Sequence, residues 1–188
     1  FTFSFWFNPQ NIGGGYYNVA VSNRNGENGF IVYQQNDTIQ YWLRATTGGW
    51  QNQSQPITRG VDQWYHVVGS RDAAGNKRFY VTLESEADAT VDHTMTGTTV
   101  LLHGSASPFG IGVRGDGQLP LNGGLLDDVQ YYDTALSEQE VNWLFHNAGS
   151  SVPTWDGSVN NWNTPSASGG WKGWSTRRSS YEISKSKI

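Results

Sequence analysis

The strongest constraint on the fold is a succession of short, strand-like segments separated by turn-forming residues. Residues 1–7 have Phe at every odd position, which is the two-residue period of a β-strand with one buried face and with Trp6 on the other face. Gly, Asn and Asp residues separate the later segments, which are rich in Val, Ile, Thr and aromatic residues. Those segments are 17–22, 29–35, 39–46, 64–71, 78–83, 98–103, 109–113 and 125–132. The pattern predicts an all-β fold, an antiparallel β-sandwich.

One segment has the signature of a helix instead. Ser137 followed by Glu140 forms a capping box, in which each side chain satisfies a backbone N–H group at the start of a helix. Val141, Leu144 and Phe145 then have the spacing of one apolar helix face. We therefore predict one short helix near residues 137–147, covering one end of the sandwich.

The composition excludes several classes of protein. The 188 residues are 36% hydrophobic and 14% aromatic, which is enough for the core of one domain. Cys is absent, so disulfides, thiolate metal sites and thiol catalysis are excluded. No apolar run approaches the roughly 20 residues that cross a bilayer, so we expect no membrane insertion. Residues 1–170 carry 7 Lys and Arg against 15 Asp and Glu, and this net charge of −8 disfavours nucleic acid as a partner.

The composition changes after Gly149. Residues 150–170 are rich in Ser, Asn, Gly and Pro, and residues 171–188 carry a net charge of +4. The segment also holds four Trp residues, which a flexible linker rarely carries. We predict a domain at 1–149 and a Trp/Ser/Gly-rich C-terminal extension at 150–188, which packs on the sandwich or on a neighbouring chain.

Three blocks of sequence resemble a known family. The opening strand reads FTFSFWFNP, a later segment reads QWYHVV before the strand RFYV, and the last strand GLLDDVQYY is followed by ALSEQEV. In order and spacing, residues 1–149 are similar to the laminin-G-like/pentraxin-like domain of the concanavalin A-like lectin/glucanase superfamily. The resemblance implies an antiparallel jelly-roll β-sandwich.

The resemblance also suggests how the extension is used. Members of the family usually have a strand before the opening block, and here Phe1 begins that block. A missing strand leaves an apolar slot and an open backbone edge. We hypothesise that 150–188 fills this slot, in its own chain or in a neighbour, where it would join subunits by strand addition. The alternative is that the chain is a cleaved or truncated form.

Two adjacent carboxylates, Asp127 and Asp128, lie in the last strand-like segment. Neighbours on a strand point to opposite faces, so they form a close pair only if a bulge intervenes. The resemblance implies calcium at this position, because an acidic residue here often binds it in relatives. The alternative is a structural role, with hydrogen bonds to loop backbone near the helix. Calcium is the only cofactor that the resemblance suggests, and the sequence favours the structural role.

Glu84, Glu86 and Asp88 form the densest run of carboxylates. On one strand, Glu84 and Glu86 would lie about 7 Å apart, within the roughly 5 to 9 Å of glycosidase carboxylate pairs. Their place at an expected hairpin apex favours a solvated turn instead. The four His residues lack the spacing of metal ligands. We therefore predict no catalytic residues and no enzymatic activity.

Aromatic side chains near polar ones are the best candidates for a binding site. The segment around Trp42 alternates so that Gln40, Trp42 and Arg44 share one face. Sugars offer apolar C–H faces to indole rings and hydroxyl groups to amides and guanidinium groups. The alternative is that Trp42 belongs to the core. The candidate carbohydrate-binding residues are Trp42, Arg44, Trp50, Asn52, Tyr16 and Tyr17, with Trp50 expected to be the more exposed indole.

These observations predict a non-catalytic binding module for carbohydrate recognition or adhesion, with a glycan or another cell-surface or extracellular partner. A structural or assembly protein is the alternative, such as a virion decoration or tail component or an extracellular filament subunit, with contacts through 150–188. A glycoside hydrolase or lyase is the third hypothesis. We expect the protein to be secreted or at a cell surface, or alternatively on a virion surface.

Overall fold

A computed structural model describes residues 1–11, 17–24, 28–44, 49–56, 60–96 and 108–149 of the chain. Within these ranges it has ten strands and one helix. The elements are β1 Thr2–Pro9, β2 Tyr17–Ser22, β3 Phe30–Gln35, β4 Thr38–Arg44, β5 Trp50–Pro56, β6 Tyr65–Arg71, β7 Lys77–Leu83, β8 His93–Met95, β9 Gly110–Ile111, β10 Gly124–Tyr132 and α1 Glu138–His146. The predicted extension at 150–188 and the predicted strand at 98–103 lie outside the described residues.

The strands form two five-stranded antiparallel sheets. The first sheet has the order β10-β1-β6-β7-β8, and the second has the order β5-β4-β3-β2-β9. The predicted all-β, antiparallel jelly-roll sandwich with one short helix is confirmed. In the described residues no helix is long and apolar enough to span a membrane.

Alternating side chains from the two sheets fill the interior. Phe3, Phe5 and Phe7 of β1 and Tyr41 of β4 are at most 1% exposed. The rings of Phe3 and Tyr41 meet edge to face, with centroids 4.9 Å apart. Each buried side chain of this size contributes on the order of 2 kcal/mol by leaving water. The period-2 pattern of the sequence therefore selects the face on which each strand meets the core.

The expectation of one buried face on β1 was wrong, because all eight of its residues are buried. The helix α1 covers the face that points away from the interior. There Trp6 stacks on Phe145 of α1, with ring centroids 5.6 Å apart. Thr2 Oγ1 also accepts a hydrogen bond of 2.8 Å from the backbone N–H of Leu136. The helix thus turns β1 into a strand that is covered on both sides.

The sequence did not predict β5 or β8, and the predicted strand at 109–113 shortens to β9. The strand β5 was missed because its inward positions carry Gln51, Gln53 and Gln55. Apolar residues at these positions would have produced the alternation that identifies a strand in the sequence. Lys77 of β7 donates a hydrogen bond to Gln51 Oε1. A polar layer between the sheets therefore takes the place of apolar packing at this edge.

Candidate functional site

The outer face of the second sheet carries the candidate binding residues. On β4, the side chains of Ile39, Tyr41 and Leu43 are buried towards the interior. Because neighbouring side chains on a strand alternate, Trp42 and Arg44 lie on the opposite, outer face. The predicted division of β4 into two faces is therefore observed.

The pairing of β4 with β5 brings four predicted residues together. Trp42 lies opposite Asn52, and Arg44 lies opposite Trp50. Residues that face each other across an antiparallel pair have Cβ atoms about 5 Å apart on the same side of the sheet. We call these four residues the outer block. Asn52 is exposed, and the other three are half-buried.

Trp42 is held in place by apolar packing and by a hydrogen bond. It packs against a small buried cluster of Val19, Ile31 and Tyr33. Its indole Nε1 donates to Gln40 Oε1 at 2.8 Å, and Tyr33 Oη donates to the same oxygen at 2.9 Å. Trp42 therefore belongs to a second cluster on the outer face, while part of its surface stays accessible to solvent.

Arg24 is a member of this surface that the sequence did not reveal. It follows β2, and its Cζ lies 4.5 Å from the centroid of the Trp50 ring. At this distance a guanidinium group is attracted to an indole face. The tertiary fold brings Arg24 near Trp50, since 25 residues separate them in the sequence. Trp50 is half-buried, as Trp42 is, so the expectation that Trp50 is the more exposed indole stays a prediction.

The positions of the two candidate tyrosine side chains relative to the outer block lie outside the described part of the structure. Tyr16 lies outside the described residues. The backbone of Tyr17 opens β2 and pairs with Gln35, and its side chain lies outside the described atoms. Their role in binding stays a prediction.

A β-bulge lies at the two adjacent carboxylates. The register of β10 against β1 shifts between Ser4 and Trp6, and Asp128 has a positive φ of 48°. Asp127 Oδ1 accepts the backbone N–H of Asp128 at 2.8 Å. Asp128 Oδ2 accepts the backbone N–H of Gly149 at 2.7 Å, just beyond α1. The alternative prediction of hydrogen bonds to loop backbone near the helix is therefore met at Asp128.

The fit of this bulge to calcium is incomplete. Calcium takes six to eight oxygen ligands. The described part of the chain contains no group of three or more His, Cys, Asp and Glu side chains that could hold a metal ion. The calcium site at Asp127 and Asp128 stays a prediction, which a comparison of thermal unfolding in calcium and in chelator would test.

The acidic run forms an exposed turn after β7. Residues 84–88 are exposed. Asp88 Oδ1 accepts hydrogen bonds from Asn142 at 2.9 Å and from His146 at 3.1 Å, both on α1. These hydrogen bonds, first the one from Asn142, lower the pKa of Asp88. A general acid needs a raised pKa near neutrality, so Asp88 is unsuited to that role.

Two antiparallel sheets with a rigid aromatic and polar surface on one outer face define a lectin-like jelly-roll domain. A family model described as the Concanavalin A-like lectin/glucanases superfamily matches residues 1–142, and the chain belongs to this superfamily. The resemblance found in the sequence is thus confirmed. No curated protein sequence matches the chain.

Solved structures with the same fold include receptor-binding domains of botulinum neurotoxins. The serotype D binding domain superposes with a TM-score of 0.57 at 14% identity, over 78% of this chain and 35% of the toxin chain. The serotype D domain in complex with N-acetylneuraminic acid gives a TM-score of 0.58 at 14% identity, over 78% and 36%. The serotype DC domain in complex with SialylT gives 0.58 at 13% identity, over 78% and 35%. The chain therefore spans about a third of these neighbours, and at such identities the likeness is one of fold.

Proposed function

We propose that this protein is a non-catalytic carbohydrate-binding module and that the outer block is its sugar-binding surface. The observation that carries the proposal is the strand register, which sets Trp42 opposite Asn52 and Arg44 opposite Trp50 on one outer face. Four residues chosen from the sequence for their chemistry therefore form one contiguous surface.

The chemistry of this surface suits a saccharide. The accessible part of an indole offers an apolar platform to the C–H face of a pyranose ring. Asn52 is exposed and offers two N–H donors and a carbonyl acceptor to hydroxyl groups. Because these side chains stand on paired strands, little conformational entropy is lost when a sugar binds.

The structural neighbours give general support. One of them was solved in complex with N-acetylneuraminic acid and another in complex with SialylT, and the superposed region is about a third of each toxin chain. The location of the site is therefore supported by the residues of β4 and β5 in this protein and not by the neighbours. A secreted or cell-surface location is part of the proposal, because glycans are displayed there.

A glycan-array experiment with tryptophan variants tests the proposal. Trp42→Ala and Trp50→Ala should each weaken binding of the detected glycan, because each removes part of the aromatic platform. Trp143→Ala is the matched control, since Trp143 is also half-buried but lies on α1, which covers the other sheet. Binding that survives both outer-block changes, or that Trp143→Ala weakens equally, would contradict the proposal.

A loss of folding must be separated from a loss of contact. Trp42 packs on a buried cluster, so Trp42→Ala is expected to lower the stability as well. Asn52→Ala changes an exposed side chain and should weaken binding while thermal unfolding stays unchanged. Release of reducing sugar from a bound oligosaccharide would instead support the hydrolase hypothesis.

Exposed apolar side chains at one edge of the sandwich favour assembly as a second function. Phe109 and Tyr131 are 41% and 50% exposed, and their rings are in contact with centroids 5.5 Å apart. Ile111 of β9 and Leu125 of β10 are 56% and 52% exposed. Edge strands of this kind can pair between subunits. A mass that rises with concentration in light scattering, and falls in Tyr131→Lys, would favour an assembly protein; a constant monomer mass would reject it.

A further inference from the structure

Two guanidinium groups lie near Trp50: that of Arg44 in the outer block and that of Arg24 beside the block. Arg24 Cζ lies 4.5 Å from the centroid of Trp50. Arg44 is the cross-strand partner of Trp50. A Cβ atom built on Gly49, the residue before Trp50, would lie 2.9 Å from Arg44 Nη1, so the head group of Arg44 reaches the start of β5. The charge of Arg24 therefore lies over the Trp50 ring, and the charge of Arg44 lies beside the backbone that leads into Trp50.

We propose that the outer block selects saccharides that carry a carboxylate, such as sialic or uronic acids, and that Arg24 and Arg44 hold this carboxylate beside Trp50. The inference rests on the proposed function and names the class of sugar that this surface prefers. It assigns Arg24 to the site. It also gives Arg44 a specific role, because a neutral sugar with hydroxyl groups alone would not require a guanidinium partner.

The chemistry of arginine supports this selection. A guanidinium group stays charged at every physiological pH and has five N–H donors in a planar fork, which matches the two oxygens of a carboxylate. Five donors allow it to keep contacts within its own chain and still bind a ligand. The contact with the indole also restricts the Arg24 side chain, so less entropy is lost when the carboxylate binds.

The described strand positions around Trp50 add no negative charge. In the described residues, the outward positions of β3, β4 and β5 near Trp50 carry apolar, amide or hydroxyl groups and no carboxylate. A Cβ atom built on Gly115 would lie 2.9 Å from the backbone oxygen of Arg24. The next residue, Asp116, accepts hydrogen bonds of 2.7 and 2.6 Å from Arg114, which lower its pKa. This pair is therefore neutral as a unit. Since residues 1–170 carry 7 Lys and Arg against 15 Asp and Glu, a cationic patch contrasts with the acidic body.

Matched acidic and neutral sugars test the selection. The probes are sialyllactose against lactose, and oligogalacturonate against its methyl ester, which has the same backbone without the charge. We expect an approximately tenfold preference for the acidic member of at least one pair, the usual worth of a charge-assisted hydrogen bond. The pair that shows the preference identifies the source of the carboxylate. Added salt should reduce the preference, because it screens exposed charges.

Arginine variants locate the preference. Arg24→Gln and Arg44→Gln should each weaken binding of the acidic sugar about tenfold and leave the neutral one unchanged. Arg78→Gln on β7 of the first sheet is the matched control and should change neither. Thermal unfolding of each variant confirms that it is folded.

The outcomes separate this inference from the proposed function. Equal binding of acidic and neutral sugars, unchanged in Arg24→Gln and Arg44→Gln, would overturn the acidic selection and leave the sugar-binding surface intact. A preference that Arg78→Gln reduces equally would also overturn it, because charge anywhere on the body would then suffice. The lack of binding to any sugar would overturn both.

Discussion

The Asp92 carboxylate links the edges of the two sheets by accepting two hydrogen bonds. Its Oδ2 accepts the backbone N–H of Val81 at 2.6 Å, and its Oδ1 accepts Gln55 Nε2 at 3.0 Å. His93 Nε2 lies 3.1 Å from Gln55 Oε1. Burial raises the pKa of Asp92 above its ordinary value of 3.8, although the hydrogen bond from Val81 and the charge of His93 oppose the change. Ionisation of Asp92 therefore lowers the free energy of unfolding.

This raised pKa predicts how stability depends on pH. Between 3.8 and the raised value, the folded state binds more protons than the unfolded state. The contribution of Asp92 to the free energy of unfolding is thus complete below 3.8 and is lost as the pH rises through the raised pKa. Asp92→Asn keeps the shape and an acceptor for Val81 but does not titrate. Urea unfolding across this window should give a variant that gains stability relative to the original chain as the pH rises; a constant difference would contradict the argument.

Individual residues also show which features of the candidate site could be predicted from the sequence. Trp42 and Arg44 were assigned to one face of β4 from the sequence because alternation along a strand is a local property. Arg24 carried no such signal, because its contact with Trp50 joins residues that are far apart in the sequence. Long-range placement of this kind is set by the whole fold and cannot be derived from spacing along the chain.

At the scale of elements, α1 is defined by local rules. Ser137 Oγ accepts the backbone N–H of Glu140 at 3.3 Å, and Glu140 Oε2 accepts the backbone N–H of Ser137 at 2.7 Å. These are the two reciprocal bonds of the predicted capping box. By contrast, β5 escaped prediction because its inward side chains are amides, whose partners come from the opposite sheet. An element is therefore predictable when its own sequence carries the reason for its structure.

The capping box gives a prediction for this element. Ser137→Ala removes one reciprocal bond and should lower the free energy of unfolding by about 1 kcal/mol. Chemical denaturation measures this change. Ser137→Thr, which can keep the bond, is the control and should cost less. A loss of sugar binding in Ser137→Ala would contradict the assignment of the site to the other sheet.

At the scale of the whole molecule, the sandwich separates its stabilising helix from the proposed binding surface. The helix lies on the outer face of the first sheet, where Phe145 stacks on Trp6. The outer block lies on the outer face of the second sheet, where Trp42 packs on Val19, Ile31 and Tyr33. Two sheets packed face to face lie about 10 Å apart. The core of aromatic and aliphatic side chains fills the space between them.

This separation predicts that changes on the two outer faces act independently. Sites more than about 7–10 Å apart with no shared partner usually add to within about 0.5 kcal/mol. The stability losses of Ser137→Ala and Trp42→Ala should therefore add in the double variant, while only Trp42→Ala weakens sugar binding. Denaturant unfolding of the four proteins in this cycle, with sugar titrations of each, measures both quantities. A coupling of about 1 kcal/mol or more would mean that the core transmits strain from one outer face to the other, so that the helix would also control the shape of the binding surface.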